Sequence, residues 1–220
     1  MIKPILLCIE GIIGAGKTTI CSELEKSISN LPNILDMDIK ILKEPVDYWR
    51  ELGLLERFYN DKKRWGLTFQ LTALVTKCME LMKLDNNTIY IIERSPYTDM
   101  KCFAKLCHMS GDINDMEMDI YKLYYQHFIT QLESKCAIQF IYLKTSSEIC
   151  MERIKQRNRI EERDIPIEYL NSLEELHNEW LMNNAIILNG NTDISDKTNI
   201  LTIADFIKYQ ILLKDNIHDS

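Results

Sequence analysis

Seven side chains in this sequence have the types and spacing needed to move a phosphoryl group: Lys17, Thr18, Glu44, Glu93, Arg94, Arg153 and Arg157. Lys17 and Thr18 close the run Gly11-Ile12-Ile13-Gly14-Ala15-Gly16-Lys17-Thr18, which follows the apolar Ile5-Leu6-Leu7-Cys8-Ile9 and opens a helical pattern. Strand, glycine-rich turn and helix in that order make a phosphate-binding P-loop. Its backbone N–H groups point inward on the phosphates, and the helix start adds the positive end of its dipole. The expected donor set is Gly11, Gly14, Ala15, Gly16, Lys17, Thr18 and Thr19. Lys17 reaches the outer phosphates of a nucleoside triphosphate, and the Thr18 hydroxyl ligates Mg²⁺.

The other residues sit where strands end. Ile39–Lys43 reads as a strand running into Glu44, and Pro45 stops its pairing. Thr88–Ile92 reads as a strand running into Glu93-Arg94-Ser95-Pro96. In an open parallel sheet, ligands bind outside the carboxyl ends of the strands. A phosphate loop facing two carboxylates and an arginine suits phosphoryl transfer to a hydroxyl, one carboxylate taking the acceptor's proton. Arg153 and Arg157 lie four apart on one helix face, followed by Arg159, Glu161, Glu162 and Arg163. Beside a P-loop they read as a lid, about residues 153–165, whose arginines meet the transferring group.

The positioning elements alternate. Strands are expected at Pro4–Glu10, Ile39–Lys43, Thr88–Ile92, Ala137–Leu143 and Ala185–Leu188. Helices are expected at about Lys17–Ser29, Trp49–Tyr59, Trp65–Leu84, Tyr97–His108 and Met116–Leu132. Another follows a capping box of Thr145 with Glu148, and one opens at Pro166 with Leu170, Leu173, Leu176 and Trp180 on one face. A last helix carries Ile200, Ile203, Ile207 and Ile211. This order implies an α/β fold, a parallel five-stranded sheet with helices on both faces, in a single domain spanning 1–220.

Composition narrows the partners. A net charge of −7 over 220 residues argues against a nucleic-acid surface, which must neutralise many phosphates. The seven cysteines have no metal-site spacing and read as reduced thiols of a cytosolic protein. No signal peptide or membrane span is evident, so no membrane partner is expected.

Further motifs carry a resemblance. Glu44-Pro45-Val46, Arg64-Trp65 with Thr68-Phe69-Gln70, Glu93-Arg94-Ser95 with Tyr97 and Asp99, and the lid followed by Ile165-Pro166-Ile167-Glu168-Tyr169-Leu170 resemble the deoxynucleoside kinases nearly end to end. The nearest branch is that of the deoxycytidine, deoxyguanosine and deoxyadenosine kinases. The resemblance implies transfer of the γ-phosphoryl group of ATP or another triphosphate to the 5′-hydroxyl of a 2′-deoxynucleoside, with Mg²⁺, in a homodimer. It implies that Glu44 is the general base, that Arg94 orients it, and that Glu93 joins Thr18 on the metal. Arg153 and Arg157 would clamp the phosphoryl group, and Tyr59 and Glu162 would bind the sugar 3′-hydroxyl. Gln70, Trp49, Phe69 and Phe103 would hold the base, and backbone near Asp193 and Ile194 would contact the donor's base. Asp99, acceptor-only when ionised, favours an exocyclic amino group over the carbonyl of thymine. Lys77 stands where that branch has an arginine beside this aspartate, and Ile194 where it often has an aromatic. The alternatives are a nucleoside monophosphate kinase of the thymidylate kinase type and a nucleotide-dependent switch. The chain has no Asn-Lys-x-Asp guanine motif to support the switch.

Overall fold

The computed structural model describes residues 3–28, 38–192, 199–203 and 205–206. Strands β1 (Ile5–Glu10), β2 (Asp38–Leu42), β3 (Thr88–Glu93), β4 (Ala137–Lys144) and β5 (Ile186–Asn189) form one sheet. Its order is β2-β3-β1-β4-β5, and every neighbouring pair is parallel. The helices are α1 (Lys17–Ile28), α2 (Val46–Glu51), α3 (Leu54–Asn60), α4 (Lys62–Leu81) and α5 (Pro96–Thr98). They continue with α6 (Lys105–Met109), α7 (Asp115–Lys135), α8 (Ser147–Arg157) and α9 (Ile167–Leu181).

Apolar strands become a sheet covered on both sides because their side chains alternate between faces. In β1, Ile5, Leu7 and Ile9 join a core with Ile20 and Leu24 of α1 and Leu170 and Leu173 of α9. Leu6 and Cys8 point the other way, onto Leu81, Ile129 and Leu132 of α4 and α7. A third cluster, with Trp49, Phe58, Phe69, Leu74 and Tyr121, lies among the helices and takes in Ile113 of the connection before α7. The chain places β3 on one side of β1 and β4 on the other, so connections leave β1 in opposite directions. Such a switch point opens a crevice at the carboxyl ends of the strands. The expected α/β P-loop kinase architecture is therefore the one observed.

Several boundaries differ from expectation, each for a local reason. The helix expected over Trp49–Tyr59 is two helices, because Gly53 at φ +62 turns the chain between α2 and α3. Helix α4 begins at Lys62 rather than Trp65, since the Asp61 side chain accepts from Arg64 N at 3.0 Å and caps it. The expected Tyr97–His108 helix carries a π-turn over Asp99–Ala104. The cap of α8 is Ser146, which accepts from Ile149 N, and not Thr145. Thr145 Oγ1 instead donates to Ala15 O of the P-loop at 3.3 Å. Ile200 and Ile203 are buried as expected, whereas Ile207, Ile211 and Ser29 lie outside the described residues.

The P-loop is pressed against α8. A Cβ on Gly14 would sit 2.6 Å from Cys150 O, and Gly14 has φ +83. Gly14→Ala should therefore cost a few kcal/mol, about 1–3, from backbone strain and overlap. Urea denaturation measures this; an unchanged midpoint would show that loop and helix are not in register as described.

Candidate active site

The P-loop carries the first half of the site. Gly11, Gly14 and Gly16 take φ of +153, +83 and +101, backbone that side chains disfavour and that lets the loop curl round an anion. The Lys17 ammonium is buried and donates to Gly11 O at 2.8 Å and Ile12 O at 2.9 Å. Burial pulls its pKa down to about 7. Thr18 Oγ1 donates to Glu93 Oε1 at 2.6 Å. That pairing brings a hydroxyl and a carboxylate to the rim of one cavity. Hard oxygen donors of this kind fit Mg²⁺, which takes few protein ligands and completes its shell with waters and phosphates.

The second half is a charged cluster at the ends of β2 and β3. Glu44 Oε2 accepts from Arg94 NH1 at 2.6 Å, and Glu44 Oε1 lies 3.0 Å from Lys77 Nζ. Lys77 Nζ also donates to Asp99 Oδ1 at 2.7 Å. Burial alone would raise the Glu44 carboxyl. The charges of Arg94, Lys77 and Lys17 outweigh it and hold the group down to about 2. Asp99 goes the other way: burial pushes it above the ordinary carboxylate range against the pull of Lys77. Its Oδ2 is buried without a hydrogen-bond partner.

Arg94 reaches Glu44 from a strained backbone, a non-glycine residue at φ +59. Its N–H donates to Ile9 O at 3.0 Å, and the next amide, Ser95 N, donates to Glu10 Oε1 at 3.1 Å. Thr98 Oγ1 donates to the other oxygen of Glu10. Glu10, fully buried, thus fastens the corner that presents Arg94. Sequence reasoning missed it, although a carboxylate closing an apolar strand beside a P-loop was the available signal.

One cavity of about 590 Å³ gathers most of the expected residues. Gly14, Gly16, Lys17, Thr18, Thr19, Glu44, Glu93, Arg94, Arg153, Arg157 and Glu162 line it at the charged end. Trp49, Tyr59, Phe69, Gln70, Asp99 and Phe103 line the rest. Phe69 stacks on Phe58 at 4.6 Å and meets Trp49 edge-on at 5.5 Å, while Arg94 lies over Phe103 at 4.8 Å. The lining is therefore mixed, aromatic rings beside charged and polar groups. Arg153 donates to Ala15 O at 3.0 Å and to Thr192 O at 3.1 Å. Arg157 pairs with Glu162 at 2.6 Å, and Arg50 ties the neighbouring Glu161 to α2 at 2.8 Å.

Among the described residues, three expected contacts fall outside the lining: Lys77, Gly11 and Ala15. Lys77 lies behind Asp99 and Glu44, because both carboxylates take its ammonium before it can reach the cavity. Gly11 and Ala15 turn their carbonyls to Lys17 and Arg153. Asp193 and Ile194 lie outside the described residues. His177, given no role by the sequence, is fully buried and donates from Nδ1 to Leu173 O at 2.7 Å; burial lowers its pKa to about 3, so it packs as a neutral ring.

If Lys77 helps hold Glu44 ionised, removing it must raise the Glu44 pKa. In Lys77→Met, a carbon-13 NMR titration of the Glu44 carboxyl should show its midpoint moving up from about 2 towards the ordinary range. An unmoved midpoint would mean that Arg94 and Lys17 suffice.

The family profile described as deoxynucleoside kinase matches residues 7–210. A probable deoxycytidine kinase of fowlpox virus (strain NVSL) is 34% identical over 216 residues, covering 91% of this chain and 87% of the relative. The deoxycytidine kinase of Homo sapiens is 30% identical, covering 90% and 82%. The mitochondrial thymidine kinase 2 of Homo sapiens is also 30% identical, covering 84% and 67%. None of these supports the thymidylate kinase alternative. With the match running through both the P-loop and the lid, the chain belongs to the deoxynucleoside kinase family, whose reaction is the phosphorylation of a deoxynucleoside.

Proposed function

We propose that Glu44 is the general base of this kinase and that the preferred acceptors are deoxycytidine, deoxyadenosine or deoxyguanosine rather than thymidine. The observation that carries the reading is the Glu44–Arg94 pair opening onto the same cavity as Lys17 and Thr18. The acceptor base lies between Phe69 and Phe103, with Gln70 on its edge and Tyr59 and Glu162 on the sugar 3′-hydroxyl. Asp99 Oδ2 accepts from an exocyclic amino group, a contact that cancels the cost of a bare buried carboxylate oxygen.

Glu44 takes the proton of the 5′-hydroxyl, and the oxygen forms a bond to the γ-phosphorus. The bond to the β-phosphate oxygen breaks, and its electron pair leaves with the nucleoside diphosphate. A carboxylate held near 2 is a weak base, and a loose phosphoryl transition state asks little of it before the bond forms. Arg94 fixes the orientation of Glu44. Lys17, Arg153 and Arg157 face the charge that builds on the transferring group. ATP or another triphosphate is the donor. Thr18 and Glu93 would hold Mg²⁺, which neutralises charge on the donor phosphates when bound.

A second copy of the chain is the partner we favour. Helix α7 exposes Met116, Ile120, Leu123 and Tyr124, at spacings that share one face. The cysteines of the chain are all free thiols, which suits a reducing compartment, and we take the cytosol as the place of action. No described helix is long and apolar enough to cross a membrane.

Two experiments check this reading. Glu44→Gln should cut kcat by roughly 10²–10⁴-fold while nucleoside affinity barely changes; near-normal turnover would remove the base assignment. Leu123→Glu should convert a dimer to a monomer in analytical ultracentrifugation, whereas an unchanged sedimentation coefficient would put the contact elsewhere.

A further inference from the structure

Glu10 is a fully buried carboxylate to which the mechanism above gives no part. A carboxylate withdrawn from water is costly unless donors meet its oxygens. The Arg94 corner meets both: Oε1 accepts from Ser95 N at 3.1 Å, and Oε2 accepts from the Thr98 hydroxyl. The pairing of β1 with β3 ends at Ile9 and Glu93. Beyond it Arg94 N donates to Ile9 O at 3.0 Å, and Ser95 N finds the Glu10 side chain where the ladder has stopped. Arg94 between them holds φ +59, a strained conformation that persists only where its surroundings impose it. In the chain, Glu10 leads directly into the P-loop. The next carbonyl, Gly11 O, accepts from Lys17 Nζ at 2.8 Å and from Arg94 NH2 at 3.4 Å.

We propose that Glu10 is a positioning residue for phosphoryl transfer: it locks the corner bearing Arg94 to the strand end bearing the P-loop, so that the donor half and the acceptor half of the site keep one register. This rests on the reading of Glu44 and Arg94 given above. It adds a residue that acts from behind the site, since Glu10 does not line the cavity.

The consequence is a division between binding and turnover. The P-loop carries its own phosphate cradle, while Trp49 and Phe69 line the cavity from α2 and α4. Each substrate keeps those contacts when the corner loosens. What is lost is the angle at which Arg94 holds Glu44 against the donor. A misplacement on the order of 1 Å is enough to cost about a hundredfold in rate. Loss of Glu10 therefore lowers kcat and spares both KM values. Hydrogen bonding does the holding, because the two donors, an amide and a hydroxyl, are neutral. Glu10→Gln keeps an acceptor for Ser95 N and gives the Thr98 oxygen an amide to accept from. Glu10→Met keeps the length but offers no oxygen to either group.

The full chain is assayed with ATP, Mg²⁺ and the deoxynucleoside it phosphorylates fastest. The proteins are wild type, Glu10→Gln, Glu10→Met, Arg94→Met and the double variant of Glu10→Met with Arg94→Met. Glu10→Met should lower kcat by about tenfold or more, with both KM values within about threefold of wild type. Glu10→Gln should keep kcat within about threefold of wild type. The decisive result is the double variant. With Arg94 already removed, Glu10→Met should lower kcat by less than about twofold further, because the group it positions is gone. A general loosening of the fold would instead subtract equally from both backgrounds. Thr98→Val removes one of the two donors and carries the same comparison if Glu10→Met does not fold, with an expected loss of about threefold in kcat. A kcat near wild type in Glu10→Met, an equal fall in both backgrounds, or Glu10→Gln as slow as Glu10→Met would each overturn the positioning role and leave the kinase reading intact. An unchanged kcat in Arg94→Met would remove the reading of Arg94 itself, and the proposal with it.

Discussion

A single buried carboxylate shared by two cations holds this site together. Withdrawing Glu44, Arg94 and Lys77 from water costs several kcal/mol per ion, and only close pairing repays it. The distances of 2.6 and 3.0 Å meet that demand, and the Lys77–Asp99 contact at 2.7 Å supports the second cation. Much of the local structure follows. Arg94 tolerates a left-handed backbone because Glu10 and Ile9 hold the peptides on either side of its Cα. The strain sits at the corner where Arg94 leaves the sheet to meet Glu44.

The sheet supplies the convergence. Because β3 and β1 are parallel neighbours, with Ile9 opposite Glu93, the P-loop and the Glu93-Arg94 corner leave the sheet side by side. Strand β2, paired to β3, delivers Glu44 from the far side. Helices α2, α3 and α4 then wall the cavity with Trp49, Phe58 and Phe69, whose rings pack on one another. The arginine-rich segment is tied beside the charged residues through Arg157 on Glu162 and Glu161 on Arg50. Charged side chains and aromatic rings thus share the lining of one cavity.

The parts readable from sequence were those where apolar runs stop at a charge. Glu44, Glu93 and Arg94 each stand at the carboxyl end of an apolar run, so strand logic put them at the crevice. The glycine spacing of the P-loop was equally plain. The parts that were not readable depend on where a side chain goes after its element forms. Glu10 looked like the last residue of a strand; its role comes from Ser95 and Thr98, 85 and 88 positions away. The resemblance placed Lys77 beside Asp99, but only geometry shows that two carboxylates take its ammonium. Thr145 and Ser146 are both acceptable caps, and the approach of Ala15 decides between them. The π-turn at Asp99–Ala104 has no pattern of its own in the residues.

The account stands on one alignment: a sugar hydroxyl between Glu44 and a triphosphate cradled by Lys17. A crystal structure with deoxycytidine and a non-hydrolysable ATP analogue tests it most directly. The account predicts the 5′-oxygen within hydrogen-bond reach of Glu44 Oε1 and in line with the γ-phosphorus. A 5′-oxygen turned away from Glu44, with the triphosphate still on the P-loop, would contradict it.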